Sequence, residues 1–87
     1  MDIFEKIHRL GILPVVVLDD VKDAAPLAIA LCEGGLPAAE VTYRTAYAHD
    51  VIQEMKKVKP DMLVGAGTVL SIEQVDSAID AGAEFIV

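Results

Sequence analysis

The chain has 87 residues, the length of one small domain. Hydrophobic residues make up 54% and charged residues 24%, which excludes a disordered acidic tail. With 14 acidic against 7 basic residues the net charge is −7, so no cationic stripe exists to neutralise phosphates, and nucleic acid and anionic membranes are excluded as partners.

Residues 2–10 carry Ile3, Phe4, Ile7 and Leu10 at the spacing of one helix face, and Gly11 stops that helix. Residues 13–18 form a β-branched run without alternation, which predicts a strand buried on both faces. Asp19, Asp20 and Asp23 are candidate N-caps for a helix reaching Glu33; a cap at Asp23 puts Pro26 at the third helical position, where no intrahelical N–H bond is owed. Gly34 and Gly35 end it. A second strand covers residues 38–42. The next helix places Ala48, Val51, Ile52, Met55 and Val58 on one face, with Lys56, Lys57 and Lys59 near its negative end, and Pro60 closes it. Residues 62–66 read as a third strand. Ser71 and Gln74 form a capping box for a helix with Ile72, Val75, Ala78 and Ile79 inward, ending at Gly82. A fourth strand begins over residues 84–87.

Strands thus begin near residues 13, 38, 62 and 84, at intervals of roughly 22–25 residues, the length of a βα unit, and such units build parallel sheets through right-handed crossovers. Two α/β architectures fit: an open doubly wound sheet, or part of a (βα)8 barrel of the TIM type. Units this lean and regular favour the barrel. Three βα units plus a fourth strand, led by one helix, make just under half of it, and residues 1–87 read as a single segment. The mean hydropathy of +0.48 is high for a small free-standing domain, which exposes much of its surface, and suits a slice of a larger fold.

Strand alternation puts Ala38, Glu40 and Thr42 on one face of the second strand and Ala39 and Val41 on the other. A carboxylate inside a parallel strand is costly unless paired or functional. In a barrel Glu40 points to the interior near the C-terminal end, where barrel active sites lie; otherwise it makes a structural ion pair with Arg44 or sits on an edge strand facing water. Arg44, just past that strand, can grip a carboxylate or phosphate with paired hydrogen bonds, or is a surface arginine. Gly65-Ala66-Gly67-Thr68 falls where the third strand meets its loop. The two glycines permit close approach of a ligand or backbone, or serve packing, and Thr68 supplies a hydroxyl at the same mouth. The third glycine of a dinucleotide fingerprint is missing. His8 and His49 lack the partners of a metal site, so no metal is expected.

Cys32 has no second cysteine to pair with and lies on an apolar helix face, as a core residue would. The longest apolar stretch, residues 12–18, is far short of the ~20 a membrane span needs. A chain opening with Asp2 and Glu5 lacks the basic start of a signal peptide. A cytoplasmic protein is expected.

Three segments in register, Ile12-Leu13-Pro14-Val15-Val16, Ala39-Glu40-Val41-Thr42-Tyr43-Arg44-Thr45 and Val64-Gly65-Ala66-Gly67-Thr68-Val69-Leu70, resemble the 2-keto-3-deoxy-6-phosphogluconate aldolase family, which includes 4-hydroxy-2-oxoglutarate aldolases. The segment Ala81-Gly82-Ala83-Glu84-Phe85-Ile86-Val87 is similar to that family's approach to its fourth strand. The resemblance covers essentially the whole chain. It implies a (βα)8 barrel, usually trimeric, and a class I aldolase needing neither metal nor cofactor. In that family a lysine forms a Schiff base with the keto group of pyruvate and a glutamate shuttles protons. By resemblance the glutamate is Glu40, Arg44 binds the pyruvate carboxylate, and Thr68 lies beside it. The family's Schiff-base lysine lies on a later strand, beyond this chain. None of Lys6, Lys22, Lys56, Lys57 and Lys59 reads as a strand C-terminus, so none is an obvious substitute. Left open are a self-associating half-barrel without catalysis and another phosphosugar-binding barrel sharing the Gly-Ala-Gly-Thr turn.

Overall fold

The computed structural model describes residues 2–87. Helix α1 (Ile3–Leu10) begins where the Asp2 carboxylate accepts the Glu5 N–H at 2.8 Å and ends at Gly11, whose φ of 74° only glycine adopts freely. Strand β1 (Val15–Val16) is followed by a 3₁₀ turn (Val21–Asp23) and helix α2 (Ala24–Glu33). Then come strand β2 (Ala38–Thr42), helix α3 (Ala48–Val58), strand β3 (Leu63–Gly67) and helix α4 (Ile72–Ala81).

The three strands are parallel in the order β1-β2-β3, with Val15 opposite Glu40 and Glu40 opposite Gly65. One face carries the core. Val16, Ala39, Val41, Val64 and Ala66 meet Ala28 of α2, Val51, Ile52 and Met55 of α3, and Ala78 and Ala81 of α4 in one buried cluster. Cys32 packs half-buried against it. The opposite, inner face carries Val15, Glu40, Gly65 and Gly67, and no helix layer of that cluster covers it. No helix of the described residues is long and apolar enough to cross a membrane.

Five sequence expectations need correction. The first strand shrinks from residues 13–18 to two residues, and it is not buried on both faces: Val16 is buried but Val15 is 64% exposed. Val16 is the last paired residue of the ladder; beyond it the Leu18 carbonyl takes the Thr45 hydroxyl rather than a backbone N–H, and the Thr42 hydroxyl adds to the Val16 carbonyl at 3.4 Å. The fourth strand is reduced to a parallel bridge between Ala66 and Ile86; the segment still follows β3, with Ala66 N–H donating to the Phe85 carbonyl at 2.9 Å and Val87 N–H to the Ala66 carbonyl at 2.8 Å.

In α4, Ile72 and Ile79 point outward, 79% and 61% exposed. The helix seats on its small side, Ala78 and Ala81, because these let it approach α3 closely. The capping box is also altered. Ser71 accepts the Gln74 N–H as expected, but the Gln74 side chain accepts the Leu70 N–H. Asp23 does precede α2, yet its side chain caps nothing there, and it is Asp20 that accepts the Lys22 N–H.

Candidate active site

β2 is the central strand, so Glu40 is not on an edge facing water. Its neighbours along the strand separate as alternation requires: Ala39 and Val41 enter the core, while Ala38, Glu40 and Thr42 take the other face. Glu40 is half-buried. Among the described residues its carboxylate forms no ion pair with Arg44 or with any other cation. Nor is any buried side-chain oxygen left without a partner, so the unbonded Glu40 oxygens remain open to solvent.

The glycines of β3 explain how a carboxylate fits there. A Cβ on Gly67 would lie 2.6 Å from the Glu40 Cδ, so the Glu40 side chain leans across Gly67. A Cβ on Gly65 would lie 2.5 Å from the Phe85 Cδ2, so the Phe85 ring covers Gly65. The close approach that the glycine pair permits is therefore made by two side chains of this chain. Phe85 was not among the sequence candidates, because the pairing register of its segment could not be read before the fold was known.

Thr68 follows Gly67 with φ 55°, the one non-glycine residue with positive φ among the described residues. A β-branched residue in this region is strained, and such strain concentrates at functional turns. Arg44 lies two residues beyond β2, exposed, in a turn whose Tyr43 N–H donates to the Gly67 carbonyl at 2.8 Å. Glu40, Arg44 and Thr68 thus share the C-terminal side of the sheet, with both glycines of β3 on its inner face. A carboxylate with free lone pairs can take up and return protons, and a guanidinium beside it can hold an anion.

Two of the lysines are placed by their contacts. Lys56 is committed at the N-terminal end of β3, its Nζ donating to the Pro60 and Met62 carbonyls at 2.9 and 2.8 Å and to Glu84 Oε1 at 2.5 Å. Lys22 lies on the 3₁₀ turn after β1, almost fully exposed, with Nζ 4.0 Å from Asp20. His49 was seen in the sequence only as lacking a metal partner. Its Nδ1 is 2.9 Å from Asp50 and its Nε2 2.8 Å from Asp80, which joins α3 to α4. A neutral imidazole donates from one nitrogen only, so this double contact favours imidazolium. The Asp50 hydrogen bond, followed by that to Asp80, raises its pKa above the usual 6.5.

The family model for KDPG and KHG aldolase matches residues 3–87. The chain is 48% identical over 85 residues to the 2-dehydro-3-deoxy-phosphogluconate aldolase of Treponema pallidum, covering 98% of this chain and 40% of that protein. It superposes with TM-score 0.86 at 46% identity on the 2-keto-3-deoxy-6-phosphogluconate aldolase of Zymomonas mobilis ZM4 solved with 3-phosphoglycerate, over 97% of this chain and 40% of that one. The Legionella pneumophila KDPG aldolase, with pyruvate captured at low pH as a covalent carbinolamine, matches at TM-score 0.80 and 42% identity over 85% of this chain and 36% of that one. The chain spans about two fifths of the length of its curated relatives. By its sequence match, its parallel α/β sheet and the register of its β2 and β3 motifs, it belongs to the KDPG/KHG aldolase family.

Proposed function

We propose that residues 1–87 are the N-terminal portion of a (βα)8 class I aldolase that cleaves 2-keto-3-deoxy-6-phosphogluconate or 4-hydroxy-2-oxoglutarate to pyruvate and an aldehyde. The observation that carries this reading is Glu40, an unpaired carboxylate on the inner face of the central strand, on the same side of the sheet as Arg44 and Thr68. The barrel is supported by strand order. The segment after α4 adds beside β3, continuing 1-2-3 outward, whereas doubly wound sheets reverse or interleave that order.

In this reading the nucleophile is a lysine contributed from outside residues 1–87. Its amine condenses with the keto carbonyl, and the resulting imine accepts the electron pair released when the carbon–carbon bond breaks. Glu40 removes the proton of the substrate hydroxyl as the aldehyde leaves and returns a proton to the enamine carbon, which frees pyruvate after hydrolysis. Arg44 holds the keto-acid carboxylate and Thr68 lies beside it. Carbinolamine formation in the Legionella relative supports amine chemistry on pyruvate. No metal or other cofactor enters this scheme, and the complete protein is a cytoplasmic homo-oligomer, a trimer as in the family.

Borohydride trapping tests the division of labour. The complete protein with pyruvate gains one reduced adduct on a lysine outside residues 1–87, and the 87-residue chain alone gains none. An adduct on Lys6, Lys22, Lys56, Lys57 or Lys59 overturns the assignment. A second reading, a partial barrel that self-associates without catalysis, draws on the inner face, where Val15 and Val17 are exposed; a complete protein that traps no pyruvate would favour it.

A further inference from the structure

The turn at residues 43–47, which carries Arg44, is tied down on both sides. Toward β1, Thr45 Oγ1 donates to the Leu18 carbonyl at 3.2 Å and accepts the Tyr47 N–H at 3.2 Å. Toward β3 and α4, the Tyr43 N–H donates to the Gly67 carbonyl at 2.8 Å, and the Tyr43 hydroxyl meets Ser77 Oγ at 3.0 Å. These bonds stand where the β1–β2 ladder has ended, since Val16 is its last paired residue. Beyond it the Thr45 hydroxyl takes the Leu18 carbonyl in place of a rung, while the Thr42 hydroxyl adds to the Val16 carbonyl at 3.4 Å.

Arg44 itself has no such anchor. It is exposed, and no carboxylate of the described residues lies within ion-pair distance of it. A long guanidinium side chain binds an anion with two parallel hydrogen bonds only if its Cα is held at the right distance from the anion, since misplacement by about 1 Å is expensive. Everything that fixes this Cα comes from its two sequence neighbours.

We propose that Thr45 is a positioning residue for Arg44, with Tyr43 as the opposing strap, so that the guanidinium meets the carboxylate of a 2-keto acid without having to order its own turn. The inference rests on Arg44 binding that carboxylate. Thr45 contacts no substrate; it acts by keeping the turn preformed, which lowers the ordering cost of binding. Loss of its hydroxyl therefore weakens substrate binding and leaves the chemistry on bound substrate alone.

The test uses the complete protein and two readouts, the KM/kcat split for the keto acid and the pyruvate concentration that half-saturates borohydride trapping. Thr45→Val keeps the shape and removes the hydroxyl. It is expected to raise both KM and the half-saturating pyruvate concentration about tenfold, the worth of roughly one to two hydrogen bonds, with kcat within about twofold. Thr45→Ser recovers most of the affinity. Tyr43→Phe raises KM by about threefold, and it carries the same comparison should Thr45→Val fail to fold. In an Arg44→Ala background neither substitution adds to the loss. If Arg44→Ala weakens pyruvate binding while Thr45→Val and Tyr43→Phe leave it unchanged, the positioning role is wrong and the reading of Arg44 stands. If Arg44→Ala leaves pyruvate binding intact, the reading of Arg44 fails and the inference falls with it. A Thr45→Val loss that persists undiminished in the Arg44→Ala background makes Thr45 a general structural residue and also overturns the proposal.

Discussion

The two ends of the β-sheet use the same residue types in opposite ways. At the N-terminal end Lys56 spends all three ammonium protons on the Pro60 and Met62 carbonyls and on Glu84. At the C-terminal end Glu40 and Arg44 form no ion pair among the described residues. A charge satisfied by its neighbours stabilises the fold. In the proposed function, those left open at the C-terminal side of the sheet serve the substrate. The difference also sets Lys56 apart from a free amine, since three acceptors engage its Nζ.

Substitutions at the two ends should separate stability from activity. Lys56→Met removes the ammonium and leaves Glu84 half-buried without a cation. We expect a loss of about 2 kcal/mol in chemical denaturation of the complete protein, with kcat changed little. Arg44→Ala, at the open end, should shift stability by less than about 0.5 kcal/mol while raising KM. Equal destabilisation by the two would erase the contrast.

The glycines of β3 sharpen it within one strand. Gly65→Ala drives a Cβ into the Phe85 ring, a rigid neighbour, and is expected to cost about 1–3 kcal/mol through overpacking. Gly67→Ala drives a Cβ into the Glu40 side chain, which can swing away. Its stability cost should be smaller and its effect on turnover larger, because the displaced group is the proposed proton shuttle. The reverse ranking, with Gly67→Ala the more destabilising and the more active, would contradict the geometry.

Much of this arrangement was legible in the sequence. The boundaries of β2 and α3, the inward direction of Glu40 and the placing of Arg44 and Thr68 beyond their strands all follow from period and punctuation, since Ala39 and Val41 on one face commit Glu40 to the other. Periodicity cannot say which of two stripes a helix buries, and so it chose Ile72 and Ile79 of α4 where the fold uses Ala78 and Ala81. It cannot set register either, so the Phe85 ring over Gly65 and the Thr45 bond to Leu18 were invisible. Both join residues about 20 or more positions apart, and only the assembled fold brings them together.

The smallest expected effect lies away from both ends, where His49 joins Asp50 and Asp80 across α3 and α4. Its folded-state pKa is raised, first by Asp50 and then by Asp80, so the protonated form is the one the fold stabilises. That contribution is fully present below the unfolded value near 6.5 and is lost as pH rises through the higher folded value. Both aspartates are exposed, which limits the effect to a few tenths of a kcal/mol. Asp80→Asn should narrow the stability difference between pH 6 and pH 9, and a His49 ring titration by NMR should move down toward the unfolded value. A titration unmoved by Asp80→Asn would show that the contact does not hold the proton.

Glu40 is the proposed carrier of protons at the open end of the sheet. Glu40→Gln in the complete protein keeps the side chain's size beside Gly67 and removes only its ability to exchange a proton. Turnover of the keto-acid substrate should fall by ~10²–10⁴-fold, while borohydride still traps pyruvate stoichiometrically at an unchanged half-saturating concentration. Normal turnover by Glu40→Gln would make Glu40 structural and contradict the account.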